Sequence, residues 1–527
     1  MISRRLRAFA PALAFAACSH SGGVQQTAPH ELRIADWTDP SSLNPLLAHD
    51  QDTIGFDLLF VQTLVGLSRD NRLVPILLTR VPSRDNGDIS ADGRTIVYHL
   101  RPNVRFADGK RLTSADVAFT YRAIMDPSNP VLSQDAYRRI DSLRTPDAQT
   151  VVMRLRSPWN AAVRELFAQS DFAFGILPAH AFAGTSLLRA PWETHPFGSG
   201  PFRVTQWRRG DRIVLEPNPY FSPRPKLARI ELRMIPDLNA VVVAVRSGEV
   251  DAGRIGAHQV PEASADPHLR ILTTDINGMN YLTLQTTAPP TNDVRVRRAI
   301  AYALDVPLLE RSAHNLFERG AAFLPPVLKW HDASLTPIVA NPRAAASELD
   351  EAGWKLQGDS RVKDGAPLEM LIVEPAGSGS EVGPIVQQEL HAAGIQTTIK
   401  TFPATSFNGP NGPLRTGRFN ITVQGWIGGA DPEQTVTFAC SQIGPNGNNI
   451  ARFCDRRFEA AFEDQAVTSS DRRRGDDFRT MQRVVYERLP AVPLDYLRFF
   501  DVVNARVTGF GRNMLGYPVD AETWDAK

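Results

Sequence analysis

Apolar and polar residues alternate with period two in two runs of residues 196–221, Phe202-Val204-Gln206 and Ile213-Leu215, on either side of the polar turn Arg208-Arg209-Gly210-Asp211. Such alternation about a glycine-bearing turn predicts a β-hairpin with one buried face. Pro196, Gly198, Gly200 and Pro201 precede it and fix a tight approach that few other residue types could follow. Upstream, residues 31–36 predict a short strand running into the loop from Trp37 to Pro45, and residues 57–65 carry apolar positions at helical spacing. Asp92-Gly93 and Asp108-Gly109 mark hairpin corners. Thr113 with Asp116 three residues on is a capping-box-like helix start, with Val117, Tyr121, Ile124 and Met125 along one face. A further strand over residues 151–155 leads to a turn at Leu177-Pro178-Ala179-His180.

Beyond the hairpin, residues 238–245 predict an apolar helix stopped by Gly248, residues 281–285 a strand, and residues 293–305 a helix. Asn341-Pro342 supplies a cap and a first-turn proline for a helix that stops at Gly353. A buried strand at 368–373, a helix at 382–393 ended by Gly394, and a strand at 395–402 follow, and this alternation argues for an α/β lobe. Residues 419–426 predict another strand, 471–489 a long helix and 493–503 a final strand. Periodicity alone thus predicts a multidomain α/β or α+β protein.

The chain has 527 residues, too many for one core, so two or three domains are expected. With 43% hydrophobic and 22% charged residues, its composition is that of a soluble globular protein. The formal net charge is +1 and the basic residues are scattered, which disfavours a nucleic-acid surface. No internal apolar run approaches the ~20 residues of a membrane span. Arg4, Arg5 and Arg7 precede an apolar run, residues 8–17, that meets Cys18, the pattern of a secretory signal. Phe15-Ala16-Ala17-Cys18 resembles a bacterial lipobox, with Phe15 where leucine is usual; the alternative is ordinary cleavage near Ala17. Acylation of Cys18 would tether the chain without inserting it, and residues 19–30 read as a polar tether. Cys440 and Cys454 are the other two cysteines. In an exported chain, a pair closing a short loop reads as a disulfide ahead of a metal site, contributing roughly 3 kcal/mol on the chain-entropy model.

Several motifs also carry a resemblance. Gly200-Pro201-Phe202, the Trp207-to-Gly210 turn and the Asn218-to-Tyr220 ending resemble the family 5 solute-binding proteins, the peptide-receptor family of ABC importers. So do Asp92-Gly93-x-Thr95, Leu100-Arg101, Phe106-x-Asp108-Gly109 and Thr113-x-x-Asp116-Val117. Leu43-Asn44-Pro45, Glu249-Val250-Asp251, residues 293–305, the Gly425-Trp426 loop and the cysteine loop are similar to the family as well. The resemblance runs from about Leu32 to Phe510. It implies an α/β, bilobal periplasmic-binding-protein-like (class II) fold with an extra αβ domain on the first lobe. Residues 1–18 would be the signal, 31–57, 185–286 and 497–527 the first lobe, 58–184 the extra domain, and 287–496 the second lobe. Crossings are expected near Thr286 and Tyr496, and a lobe entered and left by two strands can rotate as a unit.

The expected ligand-binding residues are Trp37, Thr38, Glu374, Ser378, Trp426, Gly428 and Asp431. Trp426 is followed at once by glycines, so the backbone stays open beside its ring, as in the family's cleft loop; core packing is the alternative. The dipeptide branch has an aspartate three residues after this tryptophan and an arginine in the loop after the second lobe's first strand. Here Gly429 takes the first place, and residues 374–380 contain no arginine. Each lost ion pair would cost ~2–5 kcal/mol, against about 8 kcal/mol for a whole micromolar complex. A zwitterionic dipeptide would therefore bind weakly unless Asp431 or Glu374 replaces the anchors. Longer peptides could still bind through their backbone as an added strand.

No G-x-S-x-G, H-E-x-x-H or G-x-x-x-x-G-K-[ST] occurs, and no histidines pair at i, i+4, so neither catalysis nor a metal is expected. Gly377-Ser378-Gly379 sits between a strand and a helix like a dinucleotide fingerprint, but its third glycine, Gly383, comes one residue late and no downstream acid is evident. No cofactor is expected. The expectation is an extracytoplasmic, lipid-anchored, monomeric receptor that takes peptides to ABC permease subunits and touches no nucleic acid. The alternatives are a receptor for a sugar, opine, metal chelate or amine, an exported hydrolase, and a structural surface lipoprotein.

Overall fold

The computed structural model describes residues 28–47, 51–170, 172–182, 184–305, 316–376, 382–432, 437–444 and 447–527. Strand β1 (Glu31–Asp36) leads to the short helix α1 (Gln51–Asp57). The helical spacing of residues 57–65 does not produce a helix. After α1 the chain makes a turn, and the Leu59 and Phe60 carbonyls accept from Phe202 and Gly200 at 3.1 and 2.9 Å. Tertiary donors thus take the acceptors that a continuing helix would use. A Cβ at Gly200 would come within 2.7 Å of the Phe60 backbone, which is why the approach to the hairpin requires glycine there.

The inserted domain contains β2 (Thr95–His99), α2 (Ser114–Met125), β3 (Ile140–Asp147), β4 (Thr150–Leu155) and the single turn α3 (Ala162–Glu165), with sheet order β2-β4-β3. Asp116 accepts from the Thr113 amide at 2.8 Å through one oxygen and from the Ala179 amide at 3.0 Å through the other. One carboxylate therefore starts α2 and holds the turn at 177–180 against it.

The expected hairpin forms from β5 (Phe202–Arg208) and β6 (Arg212–Pro217), turning at Gly210 with φ 69°. It is followed by β7 (Arg229–Met234), α4 (Leu238–Arg246), β8 (Ala252–Ile255) and the long β9 (Leu269–Leu284). Then come α5 (Val294–Ala303), capped by the Asp293 side chain, and α6 (Pro342–Glu351), capped by Asn341. The β10 (Glu369–Pro375), α7 (Val382–Ala392), β11 (Gln396–Phe402) succession follows, with β12 (Ile421–Ile427), α8 (Arg456–Val467), α9 (Asp471–Arg488) and β13 (Ala491–Asn504) after it. β13 is not the last strand, because Val507–Thr508 pairs with Asp525–Ala526.

The main sheet has the order β11-β10-β12-β9-β13-β8-β1-β7-β6-β5. β9 and β13 run antiparallel through its middle, but their other partners divide. β8 pairs with residues 500–503 of β13, whereas β12 pairs with residues 278–284 of β9. The β9–β13 register breaks between Asp275 and Met279, at the change of partners. The apolar side chains divide in the same way. One core is shared by the inserted domain and the strands β1 and β5–β7. A separate core packs α5, α6 and α7 against β10 and β12. A third core, including Phe323, Phe438, Phe458 and Phe478 with Ile54, Met514 and Tyr517, lies where the two bodies meet.

Candidate ligand site

Strand direction locates the site. β1 is parallel to β7 and β8, and their carboxyl ends are Asp36, Met234 and Ile255. β10 is parallel to β11 and β12, ending at Pro375, Phe402 and Ile427. Ile255 pairs with Phe500, which pairs with Thr273 of β9, while Ile427 pairs with Gly278 of the same strand. The two sets of carboxyl ends therefore point toward each other along β9. The five residue steps from Thr273 to Gly278 span about 17 Å at ~3.3 Å each. The carboxyl ends of such sheets are where ligands bind.

On the first bank, Trp37 directly follows β1 and is 48% exposed. Its indole Nε1 donates to Asp52 Oδ2 at 2.7 Å. Arg254 Nη2 meets the other Asp52 oxygen at 2.8 Å, and its guanidinium lies 3.8 Å from the Phe499 ring centre. The Thr38 amide donates to Asp36 Oδ1 at 3.1 Å. Burial, and then the neighbouring Asp52 charge, push the Asp36 carboxyl up to about 6. Asp36, Trp37, Asp52, Arg254 and Arg512 line one small recess of about 50 Å³.

On the second bank, Trp426 is half-buried, one flank against the cluster between the bodies. Its carbonyl lies so close to β9 that a Cβ at Gly278 would approach it to 2.7 Å. The Gly428 amide donates to the Asn277 carbonyl at 2.7 Å, and Asn277 Nδ2 donates to the Gly429 carbonyl at 2.7 Å. The Asn277 amide donates in turn to Met514. Asn277 thus joins the tryptophan loop to the C-terminal segment of the first body. Its place between Ile276 and Gly278, in a strand that carries other polar residues, gave no signal of this role in the sequence.

Glu374 lies near the end of β10, with Oε2 buried and without a hydrogen-bond partner among the described residues; burial raises its pKa. A side chain at Gly383 would strike that oxygen, so this glycine, read as a late member of a dinucleotide fingerprint, makes room for a carboxylate. Ser378 and the glycines beside it lie outside the described residues, as does Cys18.

The expectation for Asp431 does not hold in this conformation. Asp431 is fully buried, and Arg474 grips it with two bonds, Nη1 to Oδ2 at 3.1 Å and Nη2 to Oδ1 at 2.6 Å. Its carboxylate is paired within the protein by the Arg474 guanidinium. The Cys440 and Cys454 sulfurs are at bonding distance, 2.11 Å, with Cα atoms 4.8 Å apart.

Residues 72–447 match the family described as bacterial extracellular solute-binding proteins, family 5 Middle. The chain belongs to that family. A di/tripeptide-binding protein 2 of Pseudomonas aeruginosa is 26% identical over 457 residues, 81% of this chain and 82% of that one. Protein XP55 of Streptomyces lividans is 28% identical over 71% of this chain and 68% of its own length. Among solved structures, NikA of Brucella suis, in complex with Fe(III)-EDTA, superposes with a TM-score of 0.82 at 21% identity, covering 94% of this chain and 100% of that one. AppA of Bacillus subtilis, an oligopeptide-binding protein in complex with a nonapeptide, gives 0.78 at 21% identity, covering 94% and 99%. The bilobal α/β architecture is therefore that of periplasmic solute-binding proteins. As a family 5 protein the chain is a solute receptor, and no helix among its described residues is long and apolar enough to cross a membrane.

Proposed function

We propose that this family 5 protein captures peptides between its two bodies and delivers them to an ABC permease. The observation that carries the reading is that the carboxyl ends of two parallel strand sets face each other along β9 and β13, each set packed on its own core, with a third core at the join. A guest touching both banks would favour the closed form. Rotation would be taken up near residues 275–279 of β9 and the facing residues 496–498 of β13. Trp37, Thr38, Glu374, Ser378, Trp426 and Gly428 would line the guest. With Gly429 at the usual anchor position and Asp431 held by Arg474, the peptide would be held chiefly through its main chain, as an added strand. Peptide-binding relatives support the solute class.

Export with acylation at Cys18, a closed Cys440–Cys454 disulfide, a monomeric state and the absence of catalysis complete the proposal. The missing charged anchors also favour a second reading, in which the guest is a sugar, opine, metal chelate or amine. Mass spectrometry of whatever copurifies with the mature protein separates the two, backed by thermal shifts against peptide and sugar panels. A ligand at a hundred times its Kd adds about 2.7 kcal/mol of stability. Stabilisation by peptides supports the first reading, and stabilisation by sugars or chelates alone supports the second. Turnover of model esters or peptides would contradict both.

A further inference from the structure

We propose that Asn160, Arg164 and Asp431 form a latch that holds the closed protein, joining the inserted domain to the second lobe beside the guest site; this rests on the reading that the two bodies close on a guest. Three of the hydrogen bonds come from one residue. The Asn160 amide donates to the Ala466 carbonyl at 2.9 Å, and its Nδ2 donates to the carbonyls of Gln465 at 2.8 Å and Thr468 at 2.7 Å. These acceptors lie in the last turn of α8 and just beyond it, where helix carbonyls lack intrahelical donors. Asn160 therefore supplies from another domain what a C-terminal cap would supply locally. Arg164 Nε lies 3.8 Å from Asp431 Oδ2, and its Nη1 is 3.5 Å from the Ala430 carbonyl. Asp431 is thus approached by Arg164 from one body and gripped by Arg474 from the other.

Position links the latch to the guest. Gly428 and Gly429, tied to Asn277, are followed within two residues by Asp431. A guest that orders this loop also fixes the backbone that Arg164 meets. The donors ride with the core containing Trp159 and Ala162, and the acceptors ride with α8 and its paired helix α9. Rotation about the crossing strands would break all these contacts together.

The test uses the Asn160→Ala/Arg164→Ala protein, with Arg164→Ala alone as a milder variant; both leave the buried Asp431–Arg474 pair intact. Each protein is stripped of bound material by unfolding and refolding, its folding is verified by circular dichroism, and its radius of gyration is measured by small-angle X-ray scattering. The latch predicts a more extended double variant. It also predicts that copurified solute leaves the unstripped double variant about tenfold faster, the equivalent of one or two hydrogen bonds. Equal radii together with equal release rates overturn the proposal. If the stripped wild type is itself fully open, the release rate alone decides, faster in support and equal against. A failure of the capture reading would look different: no solute would be recovered from any of the proteins, and the radii of the stripped proteins would then decide the latch alone.

Discussion

Asp431 and Asp36 show how a carboxylate's surroundings decide its use. Asp431 sits in a glycine-rich loop next to a tryptophan, which in sequence suggests an anchor for an amine. Its partner Arg474 is 43 residues away and brings two hydrogen bonds, so no local pattern could have exposed the pairing. Asp431→Asn would leave Arg474 buried without its counter-charge and should lower stability by about 3–5 kcal/mol in urea unfolding. Unchanged stability with lost guest binding would restore the anchor role. Asp36 is displaced the other way, its carboxyl raised to about 6 by burial and by Asp52. The folded state then holds this proton more tightly than the unfolded chain. The stability contributed by Asp36 is therefore complete below about pH 4 and is lost as pH rises through about 6. Carboxyl-carbon NMR should show this midpoint, and Asp52→Asn should move it down; a midpoint near 4 in the wild type would contradict the burial described here.

Among the elements, those governed by local chemistry were the legible ones. The hairpin follows from its alternation and the Gly210 turn, α2 from Thr113 and Asp116, and α6 from Asn341-Pro342. Elements governed by distant partners were not. Residues 57–65 have helical spacing, yet their carbonyls are taken by Gly200 and Phe202. β9 begins at Leu269 rather than near Tyr281, because its first half, with Arg270, Thr273 and Asp275, carries polar residues outward and leaves little alternation to read. Of the candidate site, the two tryptophans were visible as aromatic residues at strand ends, whereas Asn277, whose role depends on Gly428, Gly429 and Met514, was not. The contact between Gly200 and Phe60 gives a test at this scale. Gly200→Ala forces a methyl group against backbone that cannot yield easily and should cost ~1–3 kcal/mol in thermal or urea unfolding. A neutral result would mean that the hairpin does not dock on residues 59–60 as described.

For the whole molecule, two long antiparallel strands run between two cores, which a third core joins, and bring the carboxyl ends of two parallel strand sets to face each other. The aromatic cluster between the bodies gives them an apolar surface on which to meet when closed. Function in this account depends on what lies between Trp37 and Trp426, more than on either body alone. The most direct measurement is a crystal structure of the mature protein as purified from cells and soaked with a mixture of short peptides. The account predicts electron density for an extended guest touching both tryptophan loops, with Asp431 still bound to Arg474. A join filled by the protein's own side chains, or a guest bound wholly within one body, would contradict it.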